Sequence, residues 1–499
     1  MKTTLWGAIC LLVLLAVGCQ QENTVASKTT IVEGPLGQRL DSILTPYVQQ
    51  LRERTDNTAG LAIGVTQGSE VVYARTFGYA NLAKEIPADL NTVFHIASVS
   101  KPFAALAIAK LIEQGKVTLG DRLVDHIPEF TMQGNGYDGI TLQHILTHTS
   151  GIPRHLSTGD WEDPVRGPEA LDELLADARD ATLDFEPGTQ YSYSNSGYDI
   201  LAVVVDRASG MSFADYVTTH ILRPAGMTNS HYRMAENNLP DHWAAPYSYG
   251  VTTQEWSPYP YAEKYFPSSG LQTSLLDMCR WGMLYVNGDE SVIGKEYLDL
   301  VTTAHYDTPW GDQIGLSWFL QSYLERPIIM HQGNDTGFES LVYIYPEEAV
   351  SIVVMANRDF ARTARIMNAT SETIFADQPK DYSVSAKYLF AKAYREKGLD
   401  HAREVWEALR SDTTDIYTTN DGDILTTGAV LENGGKWSET REILEYYLTI
   451  NDQSTYAWRL LGNATLHLGD TTGAIACYER TLAINPDYEP GKEALEGVK

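Results

Sequence analysis

Cysteine is scarce, and basic charge is outnumbered. The chain of 499 residues holds 4 cysteines, so it lacks the density of a disulfide-stapled scaffold. Cys279 and Cys477 lie far apart in apolar helical patterns and read as small core residues, neither a disulfide nor a metal pair. Lys and Arg number 37 against 65 Asp and Glu, a formal charge of −28. That balance excludes nucleic acid and bare anionic head groups as partners, since both need basic patches. Metal ligation is not expected either. His144 and His148 are four apart, but Ile145 stands where a zincin would carry glutamate. Gly134-Asn135-Gly136-Tyr137-Asp138-Gly139 spells a dinucleotide fingerprint without the strand that must precede one. No cofactor is therefore expected. Gly210-Met211-Ser212-Phe213-Ala214 nearly spells a nucleophile elbow, yet reads better as a helix stop at Gly210 and a new cap at Ser212 and Asp215.

Long apolar runs are also missing, with one exception. Leu5 to Val17 is apolar, but at about thirteen residues it is too short for a stable bilayer span. Lys2 precedes it, and it closes on Ala16-Val17-Gly18-Cys19. This pattern resembles a bacterial lipoprotein signal and implies removal of residues 1–18 and acylation of Cys19. An ordinary secretory signal is the alternative. Residues 19–33 are polar and unpatterned, as a tether is. The expectation is a lipid-anchored protein of the cell envelope, facing the periplasm.

Beyond the tether the pattern changes twice. Leu40, Ile43, Leu44, Tyr47, Val48 and Leu51 recur at helical spacing. Leu61–Val65 and Val71–Thr76 flank a turn at Gln67-Gly68 and read as a hairpin. A helix is expected from about Ser98 to Gly115, then a mostly helical stretch. Strand character returns at Ile328–His331, Leu341–Tyr345 and Val350–Met355. Strands at both ends with helices between imply an α+β domain over residues 34–378, with an antiparallel sheet beside a helical region. Residues 379–499 differ: Trp458, Leu461, Gly462, Ala474, Tyr478 and Pro486 fit the tetratricopeptide pattern. Gly428, Gly435, Thr440 and Leu444 form a weaker copy. Gly398, Ala402 and Trp406 form a third, offset by a longer loop at Ser411–Asp423. An all-α repeat domain is expected there, with an unrelated helical bundle as the alternative; repeats of this kind suit a protein or peptide partner.

Three short motifs carry chemistry. In Ser98-Val99-Ser100-Lys101 the serine and lysine share one helix face, and a helix start offers Ser98 a free backbone N–H and a positive dipole end. A lysine amine held out of water can accept a proton from such a hydroxyl. In Tyr193-Ser194-Asn195 a phenol beside an ammonium can shuttle a proton, and an amide can position a substrate carbonyl. His331-Gln332-Gly333 ends an apolar strand, and its glycine allows close backbone approach; Asn334 follows with another N–H. Each motif alone has an ordinary structural explanation.

Their order resembles the serine β-lactamase and penicillin-binding-protein superfamily, more closely its class-C-like branch of esterases and D-amino-acid peptidases. Leu146-Thr147-His148-Thr149-Ser150-Gly151, Ser268-Ser269-Gly270-Leu271 and Gly333 to Phe338 extend the match over about residues 36–375. The resemblance implies that Ser98 is acylated, Lys101 is the base and Tyr193 relays protons. It also implies that Asn195 positions the substrate amide and that the Ser98 and Asn334 N–H groups hold the oxyanion. Many relatives carry Lys-Thr-Gly where this chain has His331-Gln332-Gly333. A neutral histidine offers a substrate carboxylate less than a lysine does, and His331 as a packed strand residue remains open. The expected substrates are small esters or short peptides, including those ending in D-residues, with β-lactams second. A repeat scaffold whose hydrolase domain only binds ligand is the non-enzymatic alternative. Replacing Cys19 by alanine should move the protein out of the membrane fraction; a wild-type protein already soluble after fractionation would sink the anchor.

Overall fold

A computed structural model describes residues 28–156, 165–167, 169–232, 242–248, 254–255 and 261–498. The signal segment, Cys19 and most of the tether lie outside them. Among the described residues no helix is long and apolar enough to cross a membrane.

The centre is a nine-stranded antiparallel sheet. Its strands are β1 (Thr30–Val32), β2 (Leu61–Gln67), β3 (Glu70–Phe77), β4 (Tyr306–Asp307), β5 (Gln313–Ile314), β6 (Phe319–Tyr323), β7 (Arg326–Asp335), β8 (Phe338–Tyr345) and β9 (Val350–Ala356). They pair in the order β1-β3-β2-β9-β8-β7-β6-β5-β4, so the N- and C-terminal parts of the domain meet at β2 and β9. The β2–β3 hairpin turns at Gly68, whose φ of 57° suits glycine. The strands β4, β5 and β6 were not expected, nor was β1, which lies inside the stretch read as tether and pairs with β3; β4 and β5 are only two residues long, too short for an alternating pattern.

Both faces of the sheet are covered, and side chains alternate between two apolar layers. Val353 and Met355 of β9 join the layer formed with α2 (Lys101–Glu113), α3 (Asn195–Ser209) and α4 (Leu275–Asn287). Ile352 and Val354 join the opposite layer, under α1 (Gly34–Arg54) and α5 (Thr363–Phe375). Helix α4 lies very close to the sheet. A Cβ on Gly64 would stand 2.6 Å from Cys279 Sγ, and one on Gly282 would stand 2.1 Å from Ser351 Oγ. Cys279 is thus a small residue at a tight crossing. Trp281 of α4 stacks on Phe103 of α2 at 3.7 Å between ring centroids, tying the helical region to the sheet. As expected, Gly210 ends a helix in the left-handed region and Ser212 accepts a hydrogen bond from the Asp215 N–H at 3.1 Å.

After α5 come seven helices: α6 (Lys387–Lys397), α7 (Leu399–Arg410), α8 (Gly422–Asn433), α9 (Trp437–Ile450), α10 (Thr455–His467), α11 (Thr471–Ile484) and α12 (Glu489–Glu496). Pairs α6–α7, α8–α9 and α10–α11 pack directly, and α9 packs on α10. At Gly462 a Cβ would stand 2.3 Å from the Tyr478 ring, so glycine sets the spacing of α10 and α11. The long loop before α8 is more than a spacer: Tyr417–Thr418 pairs in parallel with Val384–Ser385. Cys477 is only half-buried, unlike Cys279.

The helical tail is not simply appended. Val384 and Tyr388 belong to the apolar layer of the sheet domain under α1 and α5. Asp56, just beyond α1, pairs with Lys392 at 3.5 Å and with Arg395, both on α6. Truncating Tyr388 to alanine should therefore destabilise the sheet domain by about 3 kcal/mol, as large-to-small core changes do. Chemical denaturation followed by tryptophan fluorescence checks this, and an unchanged midpoint would show that the tail only touches the surface.

Candidate active site

Ser98 lies in a single 3-10 turn, Ala97–Ser100, that feeds directly into α2. Ala97 is held at φ 47°, a strained conformation for a residue with a Cβ, immediately before the serine. The turn is fixed from both sides. Ile96 N–H donates to Leu271 O at 3.1 Å, and Ser100 Oγ accepts from the Leu271 N–H at 3.0 Å. On the other flank Ser340 Oγ donates to Ile96 O at 2.6 Å.

One turn on, Lys101 is fully buried. A buried lysine nitrogen needs acceptors for its hydrogens, and this one has three. They are Ser98 Oγ at 3.2 Å, Asn195 Oδ1 at 2.8 Å and the Ser268 carbonyl at 2.9 Å. Asn195 begins α3, where Ser194 Oγ accepts from the Gly197 N–H at 2.9 Å. With its Oδ1 engaged by Lys101, the Asn195 amide NH2 is the end left to meet a substrate carbonyl.

Tyr193 is brought to Lys101 through its ring: Nζ stands 4.8 Å from the ring centroid, within cation–π range. Its hydroxyl makes no hydrogen bond to Ser98 or Lys101 among the described residues. His148 backs the tyrosine, with ring centroids 4.2 Å apart, and its Nδ1 accepts from the Ser194 N–H at 3.2 Å. Burial, and then the charge of Lys101, push the His148 pKa well below the ordinary histidine value. A neutral imidazole thus packs against the tyrosine.

The strand β7 closes the far side. A Cβ on Gly333 would stand 2.3 Å from Ile96 O and 3.1 Å from Ser98 N, so only glycine lets the strand approach the Ser98 turn. Asn334 lines the same cavity of about 460 Å³ as Ser98 and Asn195. His331 does not line that cavity. It is buried at 1 % exposure with Nδ1 2.9 Å from Gln332 O, and burial followed by the Lys101 charge lowers its pKa to about 3. The side chain at this position is therefore uncharged at neutral pH and faces the protein interior.

Two residues of the cavity had no sequence signal of their own. Arg154 follows His148-Thr149-Ser150-Gly151 in an irregular segment. Asp199 hides within the apolar pattern Tyr198-Asp199-Ile200-Leu201 of α3. Asp199 is buried, and burial, offset by Ser268 and Lys101, raises its pKa to about 7. The two histidines of the four-apart pair make separate bonds: His144 Nδ1 accepts from the Thr141 N–H at 3.3 Å and His148 Nδ1 from the Ser194 N–H at 3.2 Å. Among the described residues no cluster of potential ligands could hold a metal ion.

A serine joined to a buried lysine, with a tyrosine over the lysine and a glycine strand alongside, is the constellation of an acyl-transferring serine hydrolase. The Beta-lactamase family pattern matches residues 40–373, and the chain belongs to that family. Penicillin-binding protein 4* of Bacillus subtilis (strain 168) is 28% identical over 340 residues, covering 63% of this chain and 72% of the relative. Protein flp of Staphylococcus aureus (strain MRSA252) is 27% identical over 357 residues, covering 70% and 68%. Two solved structures share the fold. A penicillin-binding protein of Bacillus halodurans gives a TM-score of 0.56 at 26% identity, over 66% of this chain and 99% of that one. An octameric penicillin-binding protein homologue of Pyrococcus abyssi gives 0.61 at 24% identity, over 71% and 81%.

The raised pKa of Asp199 has a consequence for stability. A carboxyl whose folded value lies above its unfolded value costs stability when ionised, and that cost fades as pH falls from about 7 towards 3.8. Asp199→Asn should thus stabilise the protein at pH 8 by on the order of 2 kcal/mol more than at pH 5. Denaturation at the two pH values measures it; an equal effect at both would mean Asp199 does not titrate there.

Proposed function

We propose that this chain is an exported hydrolase that cleaves ester or amide bonds through a covalent Ser98 acyl-enzyme. The observation that carries the reading is the buried Lys101 bonded at once to Ser98, Asn195 and Ser268, three residues that line a cavity sized for a small substrate. In the proposed cycle Lys101 acts as a neutral amine: Ser98 Oγ attacks the substrate carbonyl as its proton passes to the lone pair of Lys101 Nζ. Tyr193 delivers that proton to the leaving group as the bond breaks. Asn195 holds the acyl-side amide, and the backbone N–H groups of Ser98 and Asn334 receive the oxyanion. Water then repeats the sequence on the acyl-enzyme and restores Ser98. Gly333 serves by admitting the strand.

The substrates we favour are small esters and short peptides, as in the class-C-like esterase and D-peptidase branch. His331 supports this ranking, since an uncharged buried histidine leaves β7 without the cation that a β-lactam carboxylate would use. A β-lactamase activity is the second reading, favoured by the penicillin-binding relatives. Cys19 would fix the enzyme to an envelope membrane, and the tail helices, read as tetratricopeptide-like repeats, would present a peptide or protein partner to it.

A fluorophosphonate probe should label Ser98 alone, and Ser98→Ala should lower kcat/KM for an aryl ester by at least about a thousandfold. The same assay with a chromogenic cephalosporin should give the smaller kcat/KM. Full turnover by Ser98→Ala would remove the mechanism; a preference for the cephalosporin would promote the second reading.

A further inference from the structure

Two basic side chains, Arg154 and Lys264, line the cavity and a third, Lys101, lies behind its wall, and they are not equivalent. Lys101 has three hydrogen-bond partners. Lys264 is buried and paired with Glu173 at 2.7 Å. Arg154 alone is exposed, and its guanidinium has no acidic partner among the described residues.

Its position is nonetheless fixed. The Arg154 carbonyl accepts from the N–H groups of Asn195 and Ser196 at 3.1 and 3.3 Å, and Ser194 Oγ donates to the Pro153 carbonyl at 3.0 Å. These bonds fasten residues 153–154 to the first turn of α3, which carries Asn195. The side chain then lies over the Tyr193 ring, with Cζ 5.2 Å from the centroid. Lys101 approaches the same ring at 4.8 Å. A guanidinium that is stacked but not neutralised keeps its in-plane N–H donors for a ligand, and their fork matches a carboxylate. The three acids in the wall do not supply that ligand: Asp335 is 3.2 Å from His95 Nε2, Asp177 acts on Lys264, and Asp199 is buried.

The chemistry of Tyr193 says which end of the substrate Arg154 faces. In the acyl-enzyme reading above, on which this inference rests, Tyr193 hands its proton to the departing group. We propose that Arg154 is a specificity-determining residue that binds a carboxylate on the leaving group, so that the enzyme selects acyl donors whose departing part is an anion. Arg154 would thereby provide at the leaving-group wall the cation that the buried His331 does not provide on β7.

A matched pair of substrates isolates this charge: the 3-carboxyphenyl and 3-carbamoylphenyl esters of phenylacetic acid, alike in shape and in the bond cleaved. The wild type should have the larger kcat/KM for the carboxylate, and Arg154→Ala should lower the ratio of the two values by about ten- to a hundredfold, as loss of a charge-assisted hydrogen bond does. Arg154→Lys, which keeps the charge without the fork, should give an intermediate ratio. The released phenols extend the test to binding without turnover. Calorimetry should show 3-hydroxybenzoate binding more tightly than 3-hydroxybenzamide to the wild type and losing that advantage in Arg154→Ala. A ratio unaltered by Arg154→Ala in both measurements overturns the inference. If neither ester is cleaved and Ser98 is never acylated, the hydrolase reading fails, and the phenol binding still decides Arg154. Circular dichroism of each variant shows that the comparison is between folded proteins.

Discussion

Everything in the site is arranged around one buried nitrogen. Lys101 Nζ has no water to solvate it, and such a group is tolerated only when the protein supplies its partners. Those partners come from three distant parts of the chain: the nucleophile turn, the start of α3, and the Phe266–Ser269 turn that offers the Ser268 carbonyl. Satisfying the lysine thus aligns the serine and the asparagine. Loss of any one partner would leave a buried donor unpaired and disturb the other two.

The sheet meets this arrangement with a complementary constraint. Gly333 lets β7 press against Ile96 and the Ser98 N–H, while Ser340 on the neighbouring strand bonds Ile96 O. Ala97 sits in a strained left-handed conformation between these contacts. Strain of this kind persists only where surrounding bonds over-determine it, and here Leu271 and Ser340 supply those bonds.

Much of this was legible in the residues. The three-residue spacing of Ser98 and Lys101 sets them on one face, and the nearly continuous apolar run Val350–Met355 marks a strand. Motif order placed Lys101, Tyr193 and Asn195 in one site, but the hydrogen bond from Lys101 to Asn195 is visible only in the structure. The rest was hidden for physical reasons. Alternation places His331 and Gly333 on one face of β7 but does not say that the histidine is buried there with no exposed rim. Arg154 lies in an irregular stretch where periodicity carries no information, and its backbone bonds to α3 depend on the tertiary path of the chain. Asp199 occupies an apolar helical position, where a carboxylate looks like an exception until its burial is seen. The edge strands β4 and β5 exist because neighbours offer hydrogen bonds, not because their sequence prefers extension.

The placement of α6 bears on how such a chain can change over generations. Tyr388 and Val384 fill the hydrolase layer, and Lys392 and Arg395 hold Asp56, so the first tail helix is bound to the catalytic domain. The packing contacts of α11 and α12 are with α10 and with each other. Duplication or loss of a hairpin at that outer end would leave the sheet and its buried lysine undisturbed, whereas the inner end cannot be recombined without also altering the catalytic core. Growth of the tail is therefore open in one direction, outward from a helix that packs as part of the sheet domain.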